Sequence, residues 1–199
     1  FGGPWLALEI LRKLGLVELL GRLIPPGREE VPWPMMALVL VLGRMCDPAS
    51  ELHIAEHFYE QCAIADLLGV PAEKVNDDRL YRALDALLPH KAQLETHLKE
   101  RLGELFDLEY DLLLYDVTST YFEGQALANG KAKRGYSRDG RPDCKQVCIG
   151  LVVSRCGMPL GYEVFAGNRV DVTTLQEIVT TMEGRYGKAQ RIWVTDRGM

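Results

Sequence analysis

The chain has 199 residues, 47% of them hydrophobic and 26% charged, with a formal net charge of −5. Those values suit an ordinary soluble protein with one sizeable core, or a core plus a smaller helical unit, and exclude a whole-chain polycation. No apolar run reaches the roughly 18 residues needed to cross a bilayer, and no basic leader with a cleavage site is present, so neither a membrane nor secretion is indicated.

Residues 5–24 repeat apolar side chains at helical spacing, with Gly15 as a break between two short helices. Pro25, Pro26 and Gly27 end that pair, and Pro32 and Pro34 open a mainly apolar helix from about Met35 to Met45. Ser50 is a plausible N-cap for a helix running to about Leu68, closed by Gly69-Val70-Pro71. Asn76 or Asp77 can cap the next helix, which Pro89 ends, and an amphipathic helix from about Lys91 to Leu105 completes an all-helical region, residues 1–110.

From residue 111 the period changes. The first strand, Leu112–Phe122, is rich in β-branched and aromatic residues and carries one carboxylate, Asp116. Alternation puts Leu112, Leu114, Asp116, Thr118 and Thr120 on one face, where a charge in line with buried apolar residues is costly unless something binds it. Gly124 to Cys144 is a polar, basic connection, long for a hairpin. Strands follow at Val147–Val153 and Leu160–Phe165. Thr173 or Thr174 then caps a helix whose stripe is Leu175, Ile178, Val179, Met182 and Tyr186, stopped by Gly187. A last strand, Arg191–Thr195, leads into a second carboxylate, Asp196.

The fold class is therefore α+β: an all-helical region, then β-β-β-α-β over residues 111–199. That order matches the first part of a ribonuclease H-like fold, in which the fourth strand lies parallel to the first. Strand one beside strand four would bring Asp116 and Asp196 together, and two acids at strand ends can hold divalent metal for phosphate chemistry. Taken singly, each Asp reads first as a strand cap or turn residue, the commonest use of Asp there.

The charge is divided. Residues 1–111 hold 11 basic against 19 acidic side chains, whereas residues 112–199 hold 12 against 9. Lys131, Lys133, Arg134, Arg138, Arg141 and Lys145 cluster in the connection against only Asp139 and Asp143, a local footprint for nucleic-acid backbone or a solvated loop. Arg197 beside Asp196 can contact phosphate or pair with a carboxylate. In the helical region, Arg79 and Arg82 share one face at i, i+3 and offer a small set of backbone contacts. Five scattered cysteines suit reduced thiols in a cytoplasmic compartment, and Cys144 and Cys148, with no second pair to complete a zinc site, read as core residues. His53-Ile54-Ala55-Glu56-His57 spells an inverted zincin pattern, but no third ligand is identifiable and the helix reads as an ordinary surface helix.

Three blocks in order, YDVTSTYFEG, GYEVFAGNRVDVTTL and VTDRGM, resemble the DDE transposases of bacterial insertion sequences, in the IS4/IS1634 group. LGLVELL, RMCDPASEL and NDDRLYRALD extend the resemblance into the helical region. It implies that Asp116 and Asp196 are the first two acids of a catalytic triad binding two Mg²⁺ or Mn²⁺ ions. The chemistry implied is phosphodiester hydrolysis and strand transfer at transposon ends. Double-stranded DNA, as terminal repeats and target, is the implied partner, with a homodimer in the synaptic complex. The third acid, a Glu in a later Tyr/Arg/Glu/Lys signature, is not in this sequence. Phe1 at the start and Met199 just after the second acid suggest a piece of something longer, inactive alone. The alternative is a non-catalytic remnant that binds DNA or dimerises and inhibits the full-length transposase.

Overall fold

The computed structural model describes residues 2–106, 112–137, 139–154, 156–169, 177, 179–180, 183–184 and 192–194; for 106, 112–117 and 192–194 only the backbone is described. By backbone contacts the chain divides into Phe1–Leu94 and Glu95–Met199, a division that falls inside one helix.

The first unit is helical: α1 (Gly2–Lys13), α2 (Leu16–Leu23), α3 (Trp33–Cys46), α4 (Glu51–His53), α5 (Tyr59–Gln61), α6 (Ile64–Leu68), α7 (Asp77–Leu87) and the start of α8 (Lys91–Phe106). Gly15 separates α1 from α2 by taking φ 69°, a left-handed conformation that a side chain would oppose. Proline opens α3, as expected, because its missing N–H falls where the helix needs none. Met36, Ala37, Leu38, Val39, Leu40 and Leu42 of α3 are all buried, so this helix is apolar on nearly every side and forms the centre of the unit. Around it lie Leu8 and Leu11 of α1, Leu20 of α2, Ile64 of α6 and Leu80 and Ala83 of α7. The cap of α7 is Asn76, whose Oδ1 accepts the Arg79 N–H at 2.9 Å, and Ser50 caps α4 by accepting the His53 N–H at 3.3 Å.

The helix expected from Ser50 to Leu68 is not continuous. Ile54–Phe58 is a π turn between α4 and α5, and Cys62 then takes extended backbone angles before α6 begins. The wider turn lets Ile54 and Tyr59 both be fully buried, and the Tyr59 hydroxyl donates to the Val70 carbonyl at 2.7 Å. Burial, with the nearby Cys62 as a lesser cause, raises the Tyr59 pKa. Pro89 also does less than expected: Leu88–His90 is a 3₁₀ turn that leads directly into α8.

The second unit holds a sheet in the order β3-β2-β1-β4, with β1 at Leu112–Phe122, β2 at Lys145–Ser154, β3 at Pro159–Ala166 and β4 at Ile192–Val194. β1 pairs antiparallel with β2 from Leu113↔Ser154 to Phe122↔Lys145, and β2 pairs antiparallel with β3. β4 pairs parallel with β1, the relation expected of strands one and four. Gln146, Cys148, Gly150, Val152 and Ser154 alternate along β2 on the buried face. At the edge strand, the Tyr162 N–H donates to Glu95 Oε1 of α8 at 3.3 Å, which covers an otherwise open ladder position. Of the helix expected after β3, Glu177, Val179, Thr180, Glu183 and Gly184 are helical; its threonine caps and the rest of its stripe lie outside the described residues. Among the described residues no helix is long and apolar enough to cross a membrane.

Gly43 on α3 has no room for a side chain, since a Cβ there would meet Ile54 Cδ1 and Cγ2 at 3.0 Å. Gly43→Ala should destabilise the protein by about 1–3 kcal/mol in chemical denaturation. Combined with Ile54→Val it should cost less than the two single changes summed, because the added methyl then faces a smaller neighbour. Strict additivity would show that this contact is not the source of the loss.

Candidate functional site

β1 sets the register of the site. Asp116 pairs with Leu151 of β2, and Leu151 pairs with Tyr162 of β3, so the three form one row across the sheet. Leu151 and Tyr162 are 41% and 42% exposed, and Thr118 and Thr120 further along β1 are exposed as well. Leu151 and Tyr162 therefore lie on the more open face of β2 and β3, whereas Val117, Ser119 and Tyr121 pair with the buried Gly150, Cys148 and Gln146. On β4, Leu112↔Ile192, Leu113↔Trp193 and Leu114↔Val194 give the parallel register. Asp196 and Arg197 lie outside the described residues, as does the Asp116 side chain.

The basic connection between β1 and β2 is laid back on the sheet. Lys133 and Gln146 form an antiparallel bridge, with N–H···O distances of 3.1 and 2.9 Å. The buried Gln146 side chain then donates from Nε2 to the Tyr136 carbonyl and the Gly167 carbonyl, both at 2.8 Å. A further N–H from Gly167 reaches the Lys131 carbonyl at 3.0 Å. The approach is so close that a Cβ on Gly135 would sit 2.1 Å from the Gly167 carbonyl oxygen. Ala132 is buried under the same stretch.

The six basic residues divide by what they already touch. Lys131 Nζ donates to the Val164 carbonyl at 2.6 Å. Arg141 forms a fork with Asp143 at 3.1 and 3.0 Å and lies 5.0 Å from the Tyr121 ring centroid. That fork holds the Asp143 carboxyl down at about pKa 2 and raises the Arg141 pKa further. Lys133, Arg134 and Lys145 have no carboxylate partner among the described residues, and Arg138 lies outside them. Arg134, Arg141 and Lys145 line an open cleft of about 400 Å³ with Glu123, Gly124 and Asp143.

Cys144 is not a core residue, unlike the buried Cys148: it is partly exposed at the mouth of this cleft, where Arg141 Nη2 lies 3.0 Å from its sulfur. All five cysteines are free thiols. In the helical unit, Arg79 donates to the Lys74 carbonyl at 2.6 Å and to Glu30 at 3.2 Å. His53 pairs with Asp47 at 3.1 Å, and its ring centroid is 5.2 Å from that of His57. Among the described residues no three His, Cys, Asp or Glu side chains are placed to hold a metal ion, so the zincin pattern has no site there.

Gln146, Gly135, Gly167 and Tyr136 escaped the sequence reading. The signal for Gln146 was present: it shares its alternation with Cys148, Gly150 and Val152, and a polar side chain on a buried face demands partners. The two glycines carry no such mark, because they matter through a contact between distant segments.

Residues 6–98 match the model of a family described as a domain of unknown function, DUF4277. No curated protein matches the chain. A solved structure titled "Mos1 transposase paired-end complex with left transposon end" aligns over 87% of this chain at 15% identity, with a TM-score of 0.29. The alignment spans 53% of that chain, about half its length.

Two outcomes follow from the connection. Gly135→Ala should lower stability by about 1–3 kcal/mol in a thermal or denaturant melt, whereas Gly124→Ala and Gly130→Ala, where a Cβ meets nothing within 4 Å, should not. The Arg141–Asp143 fork should be pH-dependent in one direction only. The Asp143 pKa is depressed on folding, so the stabilisation is present above its unfolded value near 4 and is lost as pH falls toward about 2. The Arg141 Nε–H signal in NMR should be protected at pH 5, lose protection below about pH 3, and be unprotected throughout in Asp143→Asn.

Proposed function

We propose that this chain carries the helical region and the first catalytic strands of a DDE-type DNA transposase. Asp116 and Asp196 are its first two metal-binding acids, and the Lys131–Lys145 connection is a contact for DNA backbone. The reading rests first on the ordered sequence blocks around β1, β3 and β4. The observation that carries it is the parallel register of β1 and β4. Leu114 pairs with Val194, and each aspartate stands two residues beyond its member of that pair. In strands of period two, positions two residues on share the face of the pair they follow.

The donor set fits a hard cation. Carboxylate oxygens suit Mg²⁺ or Mn²⁺, whereas no thiolate or imidazole need be involved. When bound, such ions supply charge neutralisation for phosphodiester hydrolysis and strand transfer. The chain's own part in this reading is to offer two carboxylates, one within β1 and one two residues after β4, and to meet the DNA phosphates. Lys133, Arg134 and Lys145 are suited to the second task because none is neutralised by a described carboxylate. Terminal-repeat DNA as ligand and a pair of protomers at the synapse belong to the same proposal.

Mn²⁺ titration of the whole chain, read by calorimetry or by the spin resonance of free Mn²⁺, tests the metal site. Wild type should bind, and Asp116→Asn and Asp196→Asn should each weaken binding on the order of tenfold or more, as loss of a ligand does. Equal binding by all three proteins would remove the two-aspartate site.

A further inference from the structure

Tyr136 is 87% exposed, more than any other large apolar or aromatic side chain among the described residues. Its backbone, in contrast, is fixed. The Gln146 amide holds the Tyr136 carbonyl at 2.8 Å, and the preceding Gly135 is pressed against the Gly167 carbonyl. Lys133 and Arg134, three and two residues before it, are exposed and have no carboxylate partner among the described residues. An aromatic ring held out in water from an anchored peptide, next to unneutralised cations, contributes nothing to the sheet beneath it.

We propose that Tyr136 is a stacking platform for an unpaired nucleobase, with Lys133 and Arg134 holding the adjoining phosphates. This rests on the DNA-binding reading above and names the ligand more closely: a DNA end with unpaired nucleotides, in place of a closed duplex. The chemistry of the three residues selects it. Cations bind the phosphate backbone without regard to base, whereas a ring needs an exposed base face, which unpaired nucleotides offer and the interior of a duplex does not. A phenol suits this, since its face is apolar and its hydroxyl stays in water. The anchored carbonyl matters because a platform whose backbone is already ordered loses less entropy on binding.

Fluorescence anisotropy on the whole chain tests this with two probes: a blunt duplex, and the same duplex carrying a short unpaired strand. Wild type should bind the tailed duplex more tightly. Tyr136→Ala should lose on the order of tenfold or more on the tailed duplex and nothing on the blunt one, with the salt dependence unchanged. Tyr136→Phe should keep the preference. Lys133→Ala and Arg134→Ala should weaken both probes and each flatten the salt slope by about one unit. Binding of both probes by wild type with no preference for the tail, or a preference that survives in Tyr136→Ala, overturns the platform and leaves the DNA-binding reading standing. Binding of neither probe overturns both.

Discussion

One buried amide fixes how the basic connection sits on the sheet. Gln146 belongs to β2 through its backbone, which bridges Lys133, and to the connection through its side chain, which serves the Tyr136 and Gly167 carbonyls. It is only 2% exposed. Buried polar groups are tolerable only when satisfied, and this one is satisfied by carbonyls from two segments that are otherwise remote in sequence. The amide therefore works as a coincidence detector: it is content only when β2, the connection and the end of β3 are all in place. A long polar segment between two strands would ordinarily be expected to roam. Here its middle is held at Lys131, Lys133 and Tyr136, while the Lys133 and Arg134 side chains remain exposed.

What could be read from the sequence followed local rules. Caps, helix breaks and the buried α3 all come from short-range chemistry: Ser50 and Asn76 as hydrogen-bond acceptors, Gly15 in a left-handed turn, and proline at the start of α3. Strand positions were legible for the same reason, because alternation and β-branching act over a few residues. The π turn at Ile54–Phe58 was not, since it is decided by packing: Tyr59 must reach Val70, and Ile54 must sit against Gly43. Period-3.6 reasoning cannot see a demand made by a neighbouring helix.

The face on which Asp116 lies shows a second limit. From β1 alone, Leu112 and Leu114 suggest that its face is buried. The pairing adds what β1 alone cannot give: Leu151 and Tyr162, in register with Asp116, are open, while Val152 and Phe165 on the other face of β2 and β3 are buried. Alternation states which residues share a face, but which face is covered depends on what packs there. A carboxylate on an open face would keep its charge at little desolvation cost, and a phosphodiester would have room to approach it.

Charge placement follows the same division between local and global. The chain as a whole is acidic, at −5, which taken alone would argue against a polyanionic partner. At physiological ionic strength, however, exposed charges farther apart than about 8 Å are largely screened from one another. A phosphate at the connection would therefore respond to the cations beside it, Lys133, Arg134 and Lys145, far more than to the net charge of the chain. Within the connection itself the two described acids are unequal. Asp143 is already spent on Arg141, so it subtracts little from the field of the free cations, and it removes only the one guanidinium that is also turned toward Tyr121. The fork thus separates a structural arginine from the cations left for a ligand, which a count of basic residues could not do.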